Sequence, residues 1–198
     1  MNEKALIRRT LISFIVSIAV FVVVFALALM LGRYRIKIDE FFKAVFTDDS
    51  SLDTQRSIIV NLRFPRTIMA AFVGIGLSLS GLLYQETFRN KLVSPDLLGV
   101  STGASVGAAL AIVLGLSSAF ISVFAFLMGL LTVFVTVMIS KLFRNGSSTI
   151  LLLSGIIVGG FMSAILSMIK YFSDDVTTLA SITYWLMGSF ESADMSRD

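Results

Sequence analysis

The sequence predicts an all-α fold, a polytopic transmembrane helical bundle with about five crossings. Of its 198 residues, 56% are hydrophobic and only 15% are charged. The mean hydropathy of +0.91 lies far above that of soluble globular domains. Uncharged stretches of the roughly 20 residues that cross a bilayer recur along the chain. Most of this protein is therefore expected to lie in lipid.

The predicted crossings follow from four uncharged stretches. In chain order they are Thr10 to Gly32, Ile68 to Tyr84, Leu97 to Ser140 and Gly146 to Ile169. The third stretch is about twice as long as one crossing, so it has to fold back on itself. Small turn-forming residues from Gly115 to Ser118 mark the break, which gives helices near 97–114 and 119–140.

Only short polar segments separate most of these stretches, so a single transmembrane domain over residues 1–198 is expected. A cleavable signal peptide is the alternative at the start, because Lys4, Arg8 and Arg9 precede the first apolar stretch. That stretch is too long for a signal peptide and lacks a convincing cleavage site, which favours a retained first helix.

Counting Lys and Arg on the two sides of the membrane does not decide the orientation of the chain. The acidic residues of the 33–66 loop tip the prediction toward a cytoplasmic N-terminus.

Composition also excludes much chemistry. The chain has no cysteine and no histidine, so thiolate metal sites, disulfides and imidazole bases are excluded, and no metal site is expected. Carboxylates occur in pairs, which we interpret as solvated loop charges: Asp39/Glu40, Asp48/Asp49 and Asp174/Asp175. Membrane enzymes and proton-coupled pumps usually carry an ionisable residue inside a crossing, and the predicted crossings carry none.

Small residues recur every four positions in two of the predicted helices. The first set is Gly99, Gly103, Gly107, Ala111 and Gly115, and the second is Gly155, Gly159, Ser163 and Ser167. Such a row of small side chains lets helix backbones approach closely in a membrane. For the second set, the lining of a wide path for a bulky solute stays open as an alternative.

Two glycine-rich strings, "GIGLSLSG" and "GVSTGASVG", do not end in Gly-Lys-Ser/Thr and are not phosphate-binding loops. If ATP drives this protein, another chain must bind it.

The segment "SPDLLG" predicts a helix start, with Ser94 as the cap, Pro95 in the first turn and Asp96 near the positive end of the helix dipole.

The segment "FPRT" predicts another helix start, at Pro65, but with arginines in place of acids. Arg63 and Arg66 near a helix N-terminus would oppose the helix dipole by about 0.3 to 1 kcal/mol. Two interpretations remain open. The arginines extend to lipid headgroups, or they bind an external anionic partner through their rigid donor fork.

The stretch "LRFPRTIMAAFVGIGLSLSGLLYQETFRNKLVSPDLLGVSTGASVGAALA" resembles the permease family of ABC importers for iron-siderophores, haem and vitamin B12. The motifs that carry the resemblance occur in order. They are Arg-Phe-Pro-Arg at 63–66, Gln85, Arg89-Asn90, Ser-Pro-Asp-Leu-Leu-Gly-Val at 94–100, and then "LLLSGIIVGG" and "YWLMGSF". The resemblance runs from about residue 55 to the end of the chain.

The resemblance implies a transmembrane subunit of a type II importer in a bacterial or archaeal plasma membrane, with a cytoplasmic N-terminus and no catalytic activity of its own. It implies that Arg63 and Arg66 dock acidic residues of an extracellular or periplasmic substrate-binding protein. A second permease copy or a paralogue would complete the path. A separate ABC ATPase would use ATP and Mg²⁺, this chain would bind no cofactor, and nucleic acid is not among the expected partners.

The resemblance also places a translocation path along the helix that starts near residue 148. Ser148 and Thr149 match the hydroxyl residues near the family's cytoplasmic gate, and Gly155, Gly159 and Ser163 follow as path residues. Gly99, Gly103 and Gly107 are expected to pack helices. The expected substrate is an iron-siderophore complex, with haem and cobalamin left open.

One departure from the family concerns length. Family members have about ten crossings, and their ATPase-coupling segment lies beyond the sixth helix, whereas this chain ends at Asp198. The chain is thus similar to the N-terminal half to two-thirds of a family member, and an incomplete C-terminus is expected. A non-transporting membrane scaffold or assembly subunit is the alternative function, and an integral-membrane enzyme is a third.

Overall fold

Helices account for the regular structure throughout the part of the chain that is described. The computed structural model describes residues 3–34, 36–47, 52–91, 93–143, 148–173, 176–191 and 193. Within these ranges there is no strand, so the all-α prediction is confirmed. The α-helices are α1 (Glu3–Met30), α2 (Ile38–Phe46), α3 (Asp53–Ser57), α4 (Phe64–Phe88), α5 (Val100–Val113), α6 (Ser118–Leu142), α7 (Ser148–Tyr171) and α8 (Val176–Met187). A π-helical segment, Ile58–Arg63, joins α3 to α4, and a 3₁₀ turn, Pro95–Leu98, precedes α5.

In the described part of the chain, four helical segments are long and apolar enough to cross a membrane. They are Ile7–Met30, Asp53–Phe88, Ser118–Leu142 and Ser148–Tyr171. The predicted crossing at 97–114 is shorter than expected, because α5 has 14 residues and extends only about 21 Å at 1.5 Å per residue. A second short apolar helix, α8, was not among the predicted crossings. Gly146, the predicted start of the last crossing, lies outside the described residues.

The chain divides into two compact units, one of residues 1–74 and 190–198 and the other of residues 75–189. In the first unit, a small cluster of buried side chains joins α2 to the helix that follows it: Ile36, Ala44 and Ile59. In the second unit, α5 packs against α6, α7 and α8. Its buried centre contains Val106, Val158 and Met162.

Glycines on α5 allow close contact with α6. A Cβ on Gly103 would overlap the side chain of Thr132, and one on Gly107 would lie 2.8 Å from the Cβ of Met128. Ala111 continues this face and is fully buried. Gly115 does not belong to it, because it lies in the exposed turn between α5 and α6 with φ at +66°. The predicted packing role of Gly103 and Gly107 matches their positions, and the predicted turn at 115–118 is present.

The helical backbone is interrupted at Gly99, between the 3₁₀ turn and α5. Gly99 has φ at +78°, a left-handed conformation in which other residues are strained. Ser94 and Pro95 occupy the predicted cap and first-turn positions, but the Ser94 side chain makes no capping hydrogen bond. The Asp96 carboxylate instead accepts a hydrogen bond from the Ser101 hydroxyl.

A hydroxyl side chain satisfies the Leu98 carbonyl at this break, whereas the Gly99 carbonyl also accepts the Gly103 N–H at 2.9 Å. The carbonyl oxygen of Leu98 accepts a hydrogen bond of 3.2 Å from the Oγ1 of Thr136 on α6. The carbonyl oxygen of Gly99 accepts one of 2.9 Å from the Oγ1 of Thr102. In a bilayer, an unsatisfied backbone group would cost several kcal/mol. Thr136 thus provides a partner for the buried Leu98 carbonyl where the helix is interrupted.

Removing the Thr136 hydroxyl should destabilise the second unit. We expect Thr136→Val to lower the free energy of unfolding by about 1 to 3 kcal/mol, because Leu98 loses its partner in a buried position. Thr132→Val is the matched control, since Thr132 is equally buried but bonds the Met128 carbonyl of its own helix. The melting temperature in detergent, followed by fluorescence of Trp185, measures both. Equal shifts for the two variants would contradict the assigned role.

The two ends of one glycine-rich segment of α7 should respond oppositely to added side chains. A Cβ on Gly155 would overlap the Leu97 carbonyl oxygen and lie 2.8 Å from the Cα of Leu98, whereas Gly160 has open space around it. We expect Gly155→Ala to destabilise the protein by about 1 to 3 kcal/mol. Gly160→Ala should be neutral or stabilise it by up to about 1 kcal/mol through helix propensity. Thermal unfolding in the same detergent tests this, and a stable Gly155→Ala protein would contradict the packing.

Candidate functional site

Arg63 and Arg66 lie inside a long helix and not at its start. The helical segment runs without interruption from Asp53 to Phe88, so Arg63 is about three turns from its beginning. The predicted helix start at Pro65 is therefore wrong, and the predicted conflict with the helix dipole does not arise. The positions of Arg63 and Arg66 are explained by the contacts that their side chains make, and not by a helix dipole.

The π-helical segment explains how a helix continues through Pro65. Proline has no N–H, and its ring collides with the carbonyl four residues earlier in a regular α-helix. In the segment Ile58–Arg63 the hydrogen bonds shift by one residue, so that the Phe64 N–H bonds the Ile59 carbonyl five residues back. Such single-turn π segments inside α-helices are frequent at functional sites.

Arg63 binds the C-terminal end of α1. Its Nη1 donates to the carbonyl oxygens of Leu29 and Met30 at 2.9 and 2.7 Å, and its Nη2 donates to that of Tyr34. These carbonyls have no partner within α1, and they form the negative end of its dipole. Arg63 thus caps α1 with a positive charge. Gly32 leaves room for the guanidinium, since a Cβ there would lie 2.8 Å from Nη2.

Arg66 is half-buried and less fully bonded. Its Nη2 donates to the carbonyl oxygen of Glu191 at 3.0 Å, while its Nε is buried and forms no hydrogen bond with the described residues. Across those residues neither Arg66 nor Arg63 forms an ion pair with an acidic side chain. The Nη1 of Arg66 forms no hydrogen bond with the described residues, so it could donate to an external acid.

The carboxylate pair that the structure describes was interpreted as loop charge, but it lies in a helix. Asp39 and Glu40 lie in the first turn of α2, where negative charge favours the helix dipole. The Oε2 of Glu40 accepts a hydrogen bond of 3.4 Å from the backbone of Lys37. The pairs at Asp48/Asp49 and Asp174/Asp175 lie outside the described residues. Among the described residues, no cluster of acidic side chains could hold a metal ion.

The five predicted path residues fall on different faces of α7. Gly155 and Gly159 face the 3₁₀ turn and Gly99, where they contact backbone. Their position is that of helix-packing residues. Ser163 is exposed, as are Ser148 and Thr149 in the first turn of the helix.

The exposed side of α7 contains a strip of small and hydroxyl residues, Gly160, Ser163 and Ser167, which we call the small face. The hydroxyls donate to carbonyls of their own helix, Ser163 to Gly159 and Ser167 to Ser163, each at 2.9 Å. Their oxygens keep lone pairs on the exposed side. Large apolar side chains, including Phe161 and Met168, are exposed beside this strip.

Sequence reasoning missed Gly160 and the cap formed by Arg63. For Gly160 a signal was present, because it lies three and seven residues before Ser163 and Ser167, the spacing of one helix face. For Arg63 no local pattern could reveal a contact with carbonyls about 30 residues earlier. The glycine-rich string "GIGLSLSG" lies within α4, and "GVSTGASVG" lies at the start of α5, so neither forms a phosphate-binding loop.

Together, the long apolar helices and the packing of α5 against α6 and α7 define a multi-pass helical membrane protein. A model of the FecCD transport family matches residues 20–197, and the chain belongs to that family.

Relatives agree with this assignment. The chain is 34% identical over 179 residues to the molybdate import system permease protein MolB of Haemophilus influenzae, which covers 89% of this chain and 53% of MolB. It is 33% identical over 188 residues to the vitamin B12 import system permease protein BtuC of Vibrio vulnificus, covering 94% of this chain and 54% of BtuC. The chain thus spans about half the length of the relatives it matches.

A solved structure shares the fold. It shows an inward-facing conformation of a metal-chelate type ABC transporter and superimposes with a TM-score of 0.75 at 34% sequence identity. The match covers 92% of this chain and 55% of that chain. The predicted membership of a type II importer permease family is therefore confirmed.

Proposed function

We propose that this chain forms part of the membrane-spanning permease of an ABC importer, located in a bacterial or archaeal plasma membrane. The observation that carries the proposal is the family match over residues 20–197. Two features of the structure agree with it. Four helical segments of the described chain are long and apolar enough to cross a membrane, and α7 presents an exposed small face without charged side chains.

The proposed substrate is a bulky metal chelate, with an iron-siderophore complex as the first candidate and haem and cobalamin after it. The names of the relatives add molybdate, a metal oxyanion, to the compounds that should be tested. A path lined by small and hydroxyl residues favours passage of a large solute, because it offers space and weak hydrogen bonds without a charge that would retain the solute.

In the proposed mechanism, a loaded substrate-binding protein docks through acidic residues on the end of the helix that carries Arg63 and Arg66. A second permease copy or a paralogue closes the path, and the N-terminus is cytoplasmic. A separate ATPase subunit binds ATP and Mg²⁺ and drives the opening of the path. Ser148 and Thr149, at the start of α7, would lie near the cytoplasmic gate.

A non-transporting scaffold remains the second candidate, because the chain spans about half the length of its relatives. Uptake separates the two functions. The chain would be produced with the ATPase and the binding protein of the same organism, and uptake of radiolabelled iron-siderophore, cobalamin and molybdate would be measured. ATP-dependent uptake of one solute supports transport. An ATPase that copurifies without any uptake supports the scaffold.

Reversing both arginine charges should impair docking. We expect Arg63→Glu with Arg66→Glu to weaken binding of the substrate-binding protein at least tenfold, because two positive charges that would pair with acidic residues become negative. Membrane insertion should be retained. Lys91→Glu with Lys141→Glu is the control for charge, since both lysines are exposed and lie at other helix ends. Affinity on detergent-solubilised protein is the measurement. Unchanged affinity would return the arginines to the lipid-anchor interpretation.

Filling the small face should slow transport without unfolding the protein. Gly160→Leu adds a large side chain where the structure has open space, so we expect an unchanged melting temperature and at least tenfold slower uptake. Phe161→Leu is the control, because Phe161 is also exposed on α7 but lies about 100° around the helix from Gly160. Equal uptake by both variants would show that the small face does not line the path.

A further inference from the structure

The contacts of Arg63 and Arg66 differ in a way that separates their roles. Both Nη1 hydrogens of Arg63 are used by carbonyl oxygens of Leu29 and Met30, and Nη2 donates to Tyr34. An acid that approaches the outer edge of a guanidinium needs one hydrogen from each Nη atom. That edge of Arg63 is already occupied by the chain itself.

What Arg63 holds is the turn that follows α1. The turn covers residues 31–34, and its two ends are fixed by hydrogen bonds. The Leu31 N–H donates to the Leu27 carbonyl at 2.7 Å, and the Tyr34 carbonyl accepts from Arg63. Three charge-assisted hydrogen bonds converge on this turn and on the last carbonyls of α1, and such bonds are about twice as strong as neutral ones.

Arg33 is the charged side chain of that turn. It is exposed, and it makes no hydrogen bond or ion pair with the residues that the structure describes. Its neighbour Tyr34 is 48% exposed, and exposed tyrosine beside arginine is typical of protein interfaces. Arg33 and Arg66 are therefore cations with available donors, and Arg63, which lies one turn before Arg66 on the same helix, connects them.

We infer that Arg33 and Arg66 are the two cations that dock an acidic protein surface, and that Arg63 is a positioning residue that holds the turn of Arg33. This inference rests on the proposed function, since the acidic partner is the substrate-binding protein of the importer. An anionic lipid surface responds mainly to net charge. The segment 33–66 has seven Lys and Arg against five Asp and Glu, so its net positive charge is small. A small net charge favours a protein partner, whose acidic residues contact individual arginines, over an anionic lipid surface.

Gly32 permits a test of Arg63 without any change of charge. Because a Cβ on Gly32 would lie 2.8 Å from Nη2, Gly32→Ala should displace the guanidinium from the carbonyls. We expect amide hydrogen exchange at residues 27–34 to accelerate at least tenfold in Gly32→Ala and in Arg63→Gln. Docking affinity should fall about threefold to tenfold in both. Arg63→Lys should restore part of the protection and part of the docking.

Arg33→Glu tests direct docking. We expect at least tenfold weaker binding of the substrate-binding protein, with hydrogen exchange and melting temperature unchanged. Lys43→Glu is the matched control, because Lys43 is exposed in α2 of the same unit but is not held by Arg63. Its docking affinity should stay within about twofold of the wild type. Affinity would be measured on the full chain in detergent, and binding to vesicles with anionic lipid would be measured in parallel.

Three results would overturn the inference. Stronger or unchanged docking by Gly32→Ala, with faster exchange at residues 27–34, would show that Arg63 itself docks once it is released. Unchanged docking by Arg33→Glu with weaker vesicle binding would assign Arg33 to lipid. No docking by the wild-type chain, with exchange still accelerated in Arg63→Gln, would refute the docking partner and with it the proposed docking step, while the cap of α1 would stand.

Discussion

The structure depends on one constraint, that backbone N–H and C=O groups in a bilayer must find partners within the protein. At two places where the chain departs from regular helix, a side chain from another helix supplies the missing partner. Thr136 bonds the Leu98 carbonyl at the break before α5, and Arg63 bonds the last carbonyls of α1. These two interruptions therefore depend on side chains of other helices.

The fold also depends on the close approach of helix backbones. Glycine has two roles in α7, since one glycine allows such an approach and another leaves an exposed face open. Gly155 contacts the backbone at Leu97, so its missing side chain allows α7 to reach the 3₁₀ turn. Gly160, five residues later, has open space on the exposed side. The same helix thus packs the second unit with one face and presents small and hydroxyl groups on another, and only the second face is available to a solute.

Much of the fold could be predicted from sequence because it depends on composition and period. The long apolar stretches, the turn at Gly115 to Ser118 and the family motifs are local patterns, and the structure and the comparisons confirm them. The predicted helix start at Pro65 was wrong because a π-helical segment carries the helix through this proline. The hydrogen-bond register that defines such a segment cannot be recognised from a pattern of residues. The cap formed by Arg63 was missed because its partners lie about 30 residues away. Spacing placed Gly159 and Ser163 on α7 but could not tell which face meets a neighbour.

The π-helical segment Ile58–Arg63 has a consequence for how this helix tolerates a change in length. A π turn contains one residue more than the α-helical turn it replaces, so it can be read as a one-residue insertion absorbed within a helix. Loss of one residue there would convert the segment to α-helix and leave the register of α4 after Pro65 unchanged. A change of one residue in this segment would therefore act locally, on the turn that carries Arg63 and its contacts with α1, while the residues of α4 after Pro65 keep their faces.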